Sequence, residues 1–211
     1  MTARRKWGPV RWNEYLVYGA SKTVAMVGME SSQLQWIWAD RACVEQLFRD
    51  DVKLRQRFQG FLSVGHVGLF SVDTRGWVSY AWMTTPQNPV PPHLPPCVRR
   101  RSAWIFHCRT LESYRGRGIY KHSLSLLGQH ASAAGLDLYI DTQADNLPSR
   151  SAIVQVGFSP HGVARVWSLR VPGWKTCNWG HWQTTQAHPS VAEWGAMAPS
   201  PVSDRLSPGH P

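Results

Sequence analysis

Tyr114-Arg115-Gly116-Arg117-Gly118-Ile119-Tyr120 places two glycines in a basic turn. A strand-like run, Ala103-Trp104-Ile105-Phe106-His107-Cys108, precedes it. After it, Tyr120, Leu124, Leu126, Leu127 and His130 recur at helical spacing, and Gly135 is a natural C-terminal stop. A glycine turn between strand and helix bares backbone N–H groups at the positive end of the helix dipole. Such groups hold a phosphate without needing a metal. The turn therefore predicts a phosphate-bearing ligand.

Reading outward, Leu136-Asp137-Leu138-Tyr139-Ile140 is a further strand ending at Asp141. Asn146-Leu147-Pro148-Ser149 opens a short helix, with Pro148 in the first turn, and Gly157-Phe158 ends it. Residues 163–171 alternate as a closing strand. Upstream, 34–38 reads as a first strand and Asp40 as a helix cap. Val44, Leu47, Phe48, Val52, Leu54 and Phe58 keep helical spacing, with Asp50-Asp51 dividing the run into two helices. Residues 61–73 have strand character. Asp73-Thr74-Arg75-Gly76 is turn chemistry, and 77–83 returns as the second arm of a hairpin. Six prolines between 86 and 96 force a loop over 84–97, either a connector or a cover over substrate.

The 211 residues suffice for one domain with extensions, and 43% hydrophobic composition makes it globular. No apolar run is long enough for a membrane helix. The basic start, 1–7, lacks the apolar stretch of a secretory signal. Cys43, Cys97, Cys108 and Cys177 have neither CxxC nor Cys/His ligand spacing, so no metal and no disulfide framework is expected, and the compartment reads as cytoplasmic. His181, His188 and His210 likewise lack ligand spacing. The net charge of +10 suits nucleic acid, an acidic membrane surface or an anionic ligand. The basic residues form no helical stripe; the densest run is Arg99-Arg100-Arg101. The twelve tryptophans read as core and sheet-face residues, some lining an apolar groove. Residues 1–33 read as an N-terminal extension with one short helix, 34–171 as the domain, and 172–211 as a Pro/Trp/His-rich, poorly ordered tail.

The element order, the turn, and the Asn146, Ser149, Gly157-Phe158 spacing together resemble the GCN5-related N-acetyltransferase family over 34–171. The family's turn follows Arg/Gln-x-x-Gly-x-Gly/Ala, and Arg115 to Tyr120 fits except that Tyr120 replaces the last small residue. The resemblance implies an α/β fold of the α+β type, a mixed, mostly antiparallel central sheet flanked by helices. It implies acetyl-CoA, or another acyl-CoA, lying where the fourth and fifth strands splay. Backbone of Arg115, Gly116, Arg117, Gly118, Ile119 and Tyr120 would hold the pyrophosphate, Arg115 and Arg117 adding charge. Backbone of Cys108, Arg109, Thr110 and Leu111 would pair with pantetheine and polarise the thioester carbonyl. Asn146 and Ser149 would bond the pantetheine arm or the far end of the cofactor.

Acyl transfer to an amine needs a general base. Glu112 and His107 are the candidates, with Asp141 beside them. By period-two alternation His107 lies opposite Trp104, Phe106 and Cys108. The Tyr that often protonates the departing thiolate in the family is replaced by Ile153. Cys108 as covalent nucleophile fits the resemblance less well than direct transfer. The implied activity is N-acyl transfer, acetyl first, to a primary amine: an amino sugar, a small metabolite or a protein amine. The alternatives are a non-catalytic acyl-CoA-binding module of the same fold and a basic nucleic-acid-binding protein. A nucleic-acid partner is not the expectation, and the sequence sets no oligomeric state.

Overall fold

The computed structural model describes residues 6–7, 10–20, 34–94, 102–173 and 176–184. Among the described residues nine strands form one sheet: β1 (Lys6–Trp7), β2 (Val10–Ala20), β3 (Gln35–Trp38), β4 (Val67–Asp73), β5 (Gly76–Met83), β6 (Ser102–Thr110), β7 (Asp137–Gln143), β8 (Ser159–Leu169) and β9 (Cys177–Thr184). Their order is β3-β4-β5-β6-β7-β2-β8-β9, with β1 paired to β2. Every pairing is antiparallel except β6 with β7. That parallel pair is joined by the crossover helix α3 (Ile119–Ala133). The expected mixed, mostly antiparallel sheet flanked by helices is therefore what forms.

On one face lie α1 (Arg41–Leu47) and α2 (Val52–Ser63). Asp40 caps the first by accepting from Cys43 N at 2.7 Å, and Asp51 caps the second by accepting from Leu54 N at 2.9 Å. The Asp50-Asp51 break thus divides two helices as the spacing predicts. Val44, Phe48, Leu54 and Phe58 from these helices pack on Phe70, Val72, Tyr80, Trp82 and Phe106 of the sheet. On the other face, α3 and α4 (Leu147–Gln155) bury Leu124, Leu127, Ala131, Ile153 and Val156 against Leu16, Tyr18, Ile105, Leu138 and Ile140.

Three expectations are corrected. Helix α2 runs to Ser63 rather than stopping at Phe58, and the following strand starts at Val67 rather than at 61. Phe61 and Leu62 extend the helix's apolar face onto the same cluster. The short helix expected in 1–33 is absent from 10–20. Instead β2 inserts between β7 and β8, with Tyr15↔Gln143 to Ala20↔Leu138 on one side and Val10↔Leu169 to Gly19↔Ser159 on the other. Residues 16–20 are buried on both faces, so their strand carries no alternation to read. Arg150 of α4 ties the strand down, its Nε donating to the Tyr18 hydroxyl at 3.3 Å and its Nη1 to Ala144 O at 2.8 Å. At the other end, part of the region expected to be a poorly ordered tail is β9, paired with β8 from Leu169↔Cys177 to Gly162↔Thr184. Residues 174–175 and 185–211 of that tail, with His188 and His210, and the Arg99-Arg100-Arg101 run lie outside the described residues.

Candidate functional site

Strands β6 and β7 pair only from Ser102↔Asp137 to Ile105↔Ile140. Beyond that point β6 stays bonded to β5 through Phe106, Arg109 and Thr110, while β7 stays bonded to β2 through Asp141, Thr142 and Gln143. The two strands part, and no ladder joins their facing edges. Where they part, β6 bulges. Phe106 opposes Trp82 and Arg109 opposes Tyr80, so β6 carries an extra residue, and His107 adopts φ 49°. The bulge overturns the expected alternation. His107 shares a face with Phe106, packing on Phe58 and Phe61 and stacking on Tyr80 at 5.3 Å, while Cys108 turns to the other face with Ile105.

A cleft of about 730 Å³ opens from this gap toward α3 and α4. Its walls are β6 from Ile105 to Thr110, the glycine turn, Tyr120 and Lys121, β7 from Ile140 to Thr142, and the start of α4. Gly116 and Gly118 have φ of 80° and 77°, the left-handed region that glycine enters without strain. A side chain there would meet no atom closer than 4.0 Å, so the requirement is conformational rather than spatial. Gly118 is the N-cap of α3 and contributes no side-chain bond. The N–H groups of residues 116–121 donate to no described protein group, as expected for a bare helix N-terminus. The turn is fixed from outside: the Tyr114 hydroxyl donates to the Asp73 carboxylate, and Arg115 Nε donates to Thr110 O at 3.4 Å.

Most of the sequence-derived site residues converge here: His107, Cys108, Thr110, Arg115, Gly116, Gly118, Ile119, Tyr120, Asn146 and Ser149 all line the cleft. Others do not. Both backbone groups of Leu111 are taken, its N–H by Val78 O and its carbonyl by Tyr114 N. Arg117 lies over the Tyr114 ring and bonds Ser113 O at 3.2 Å, outside the cleft. The Glu112 side chain is 91% exposed, faces Arg115 at 3.9 Å and does not line the cleft.

Asn146 caps α4, accepting from Ser149 N at 3.3 Å. Tyr120 packs its ring on the core; burial and then the nearby Cys108 hold its pKa well above the usual range. Burial pushes the Cys108 thiol up to about 12, which keeps it protonated at neutral pH. His107 is pushed down to about 4, first by burial and then by the charge of Arg57, so its ring is neutral at neutral pH. Its buried Nε2 bonds no described group.

On the opposite face a second cleft, of about 720 Å³, shares Phe106 and His107 with the first. The two meet at the bulge. Here stands a residue the sequence reading passed over. His93, in the proline-rich loop, sets Nε2 at 3.0 and 2.9 Å from the two carboxylate oxygens of Asp141. The Asp141 side chain is 5% exposed and also accepts from Trp104 Nε1 at 2.7 Å, whereas the His93 side chain is 33% exposed and lines the second cleft. The loop is held so that His93 stays in place. Thr84 exchanges backbone and hydroxyl bonds with Trp104 at 2.9 Å, Leu94 is buried with Val17 and Trp104, and Asn178 Nδ2 donates to Pro92 O at 3.0 Å. A lone histidine among prolines gives no signal of this, because its partner is 48 residues away.

A comparison with curated proteins gives no match. Among solved structures, the chain is similar to a Drosophila protein at TM-score 0.57 and 10% identity, covering 78% of this chain and 53% of that one. It is similar to a GNAT-family acetyltransferase from Colwellia psychrerythraea at TM-score 0.50 and 17% identity, covering 71% and 53%. A GCN5-related N-acetyltransferase-like protein from Streptococcus suis gives TM-score 0.50 and 17% identity, covering 77% and 63%. At these identities the likeness is one of fold, and the chain spans 53 to 63% of the length of these structures. The model of the acetyltransferase (GNAT) family matches residues 32–158, more than half of the chain. That span contains the glycine turn, the parting strands and Asn146 to Phe158, and the chain belongs to the acetyltransferase (GNAT) family.

Proposed function

We propose that the protein is an N-acyltransferase that moves an acyl group, acetyl first, from acyl-CoA to a small-molecule primary amine. The observation that carries this is the meeting of two clefts at Phe106 and His107, where β6 and β7 part. One cleft has the donors for a phosphorylated cofactor and the other is free for an acceptor.

The first cleft suits acyl-CoA. The N–H groups of residues 116–121, at the positive end of α3, match a pyrophosphate, with Arg115 and Lys121 beside them. The unpaired edges of β6 and β7 match the peptide-like pantetheine arm, and Asn146 and Ser149 line the same wall. When bound, acyl-CoA supplies an acyl group activated as a thioester. His93 takes the proton of the incoming ammonium, with Asp141 holding Nε2–H so that Nδ1 carries the lone pair. His93 is favoured over Glu112, which lies outside the cleft, and over His107, whose depressed pKa makes it a weak base. Tyr120 remains a protonated hydroxyl in the cleft wall and returns a proton to the leaving sulfur, a role that buried Ile153 cannot fill. The thiol of Cys108 stays protonated, in keeping with direct transfer.

No helix among the described residues is long and apolar enough to cross a membrane, and Cys43, Cys108 and Cys177 are free thiols. Free thiols support a reducing compartment, the cytoplasm. The test combines thermal shift with turnover. Acetyl-CoA should raise the melting temperature of the wild type but not of Gly118→Asp, and thioester should be consumed when an amine is added. Binding of CoA without turnover on any amine would instead support a binding module.

A further inference from the structure

The second cleft carries an uneven charge. Arg11 of β2, Arg57 of α2 and Arg170 just after β8 all line it, together with His93 and His107, and among the described residues no carboxylate side chain does. Some described arginines elsewhere find acids, Arg165 pairing with Glu14 at 3.0 Å, Arg55 with Glu45 at 3.6 Å and Arg115 with Glu112 at 3.9 Å, and others, such as Arg117 and Arg150, bond carbonyl oxygens instead. Arg11, Arg57 and Arg170 form no ion pair among the described residues. A cleft lined by one sign of charge concentrates counter-ions, and the planar guanidinium fork matches carboxylate and phosphate oxygens.

Resting on the acyltransfer reading, we infer that the acceptor is an amine that also carries an acidic group, a carboxylate or a phosphate, bound by Arg11, Arg57 and Arg170 while its amine faces His93 at the bulge. Such a group would offset the positive charge of the cleft. Deprotonating the ammonium turns His93 into an imidazolium, in a cleft that already holds three guanidinium groups. The nearest acid, Asp141, is nearly buried and engaged by His93 and Trp104. Arg57 lies close enough to His107 to disfavour its imidazolium, so its charge reaches the point where the clefts meet. A polyamine would meet repulsion throughout, whereas an acid-bearing amine supplies the compensating charge. Trp12 and Phe61 give the body of the acceptor an apolar wall.

The test uses matched pairs with acetyl-CoA: glucosamine 6-phosphate against glucosamine, tryptophan against tryptamine, and spermidine as polycation. Turnover is followed by thioester consumption, and binding by calorimetry in saturating CoA. In at least one pair the acid-bearing member should lead by about tenfold or more in kcat/KM or in affinity, the scale of one charge-assisted contact. The pair that responds tells phosphate from carboxylate. Combined Arg11→Gln, Arg57→Gln and Arg170→Gln, all exposed positions, should erase the preference while leaving the melting temperature of the free protein unchanged. The inference is overturned if uncharged members do as well in both pairs, if spermidine is best, if the preference survives the triple substitution, or if neither pair binds. Selective binding of an acid-bearing amine without turnover would uphold it and defeat acyl transfer; turnover favouring neutral amines would do the reverse.

Discussion

The two clefts are of nearly equal volume and meet at the same two residues, yet they are built differently. Every described residue lining the first cleft falls between Ile105 and Gln155, inside the span that the family model matches. The second cleft takes Arg11, Trp12, Asn13 and Tyr15 from β2, and Ser168, Arg170, Thr176 and Asn178 from the other end of the chain, all outside that span. One cleft is a local motif folded on itself; the other is assembled from segments more than 150 residues apart. A cofactor common to a family can be held by a contiguous motif, whereas walls recruited from outside it are where an acceptor preference can be set.

The sharpest way to break this division of labour is His93→Asn. It should lower kcat by about 10²- to 10⁴-fold, the usual contribution of a general base, while leaving the acetyl-CoA thermal shift intact. Glu112→Gln, by contrast, should remain near wild type; a large loss there with little at His93 would return the base to the cofactor side. Next comes Gly118→Asp, which forces a side chain into the left-handed region and sets a carboxylate at the N–H cradle. It should raise the KM for acetyl-CoA by about tenfold to a hundredfold, the scale of charged hydrogen bonds, with the acceptor KM little altered. If acetyl-CoA protects this variant as well as wild type, the pyrophosphate site is elsewhere. Tyr120→Phe, which keeps the ring and its packing, should reduce kcat by about tenfold through loss of the proton donor; an unchanged kcat would make Tyr120 a packing residue.

The smallest expected effect is a pH dependence of stability. His66 and His107 both have folded pKa values lowered to about 4, chiefly by burial. The unfolded imidazole titrates near 6.5, so between pH 6.5 and 4 the unfolded chain binds more protons than the folded one. Their contribution is complete above pH 6.5 and declines as pH falls through that window. The melting temperature should drop by about a few degrees from pH 7 to pH 5, and His66→Phe should remove part of the drop. A flat profile would place neither ring in its buried neutral form.

Much of the first cleft's local geometry was legible because it follows short-range rules. The glycines at 116 and 118, the cap at Asn146 and the hairpin turn at 73–76 are each decided by a few adjacent residues. The strand β2 was not legible, because Leu16, Val17 and Tyr18 are covered on both sides and show no alternation. Nor was the face of His107, since a bulge depends on the partner strand as much as on the residue itself. His93 was invisible for a third reason: its meaning comes from Asp141 on a strand it does not neighbour in the chain.

By itself, the sequence determined the strand–turn–helix that bares N–H groups, the Asn146 to Phe158 segment that accompanies it, and thereby the fold family. Backbone chemistry at glycines and helix caps is local, so it survives translation into sequence pattern. Only the tertiary structure decided that β2 closes the sheet between β7 and β8, that β6 bulges at His107, and that His93 meets Asp141 in a cleft also lined by Arg11, Arg57 and Arg170. These are juxtapositions across the sheet, set by packing and strand order, and no periodicity within a single segment encodes them.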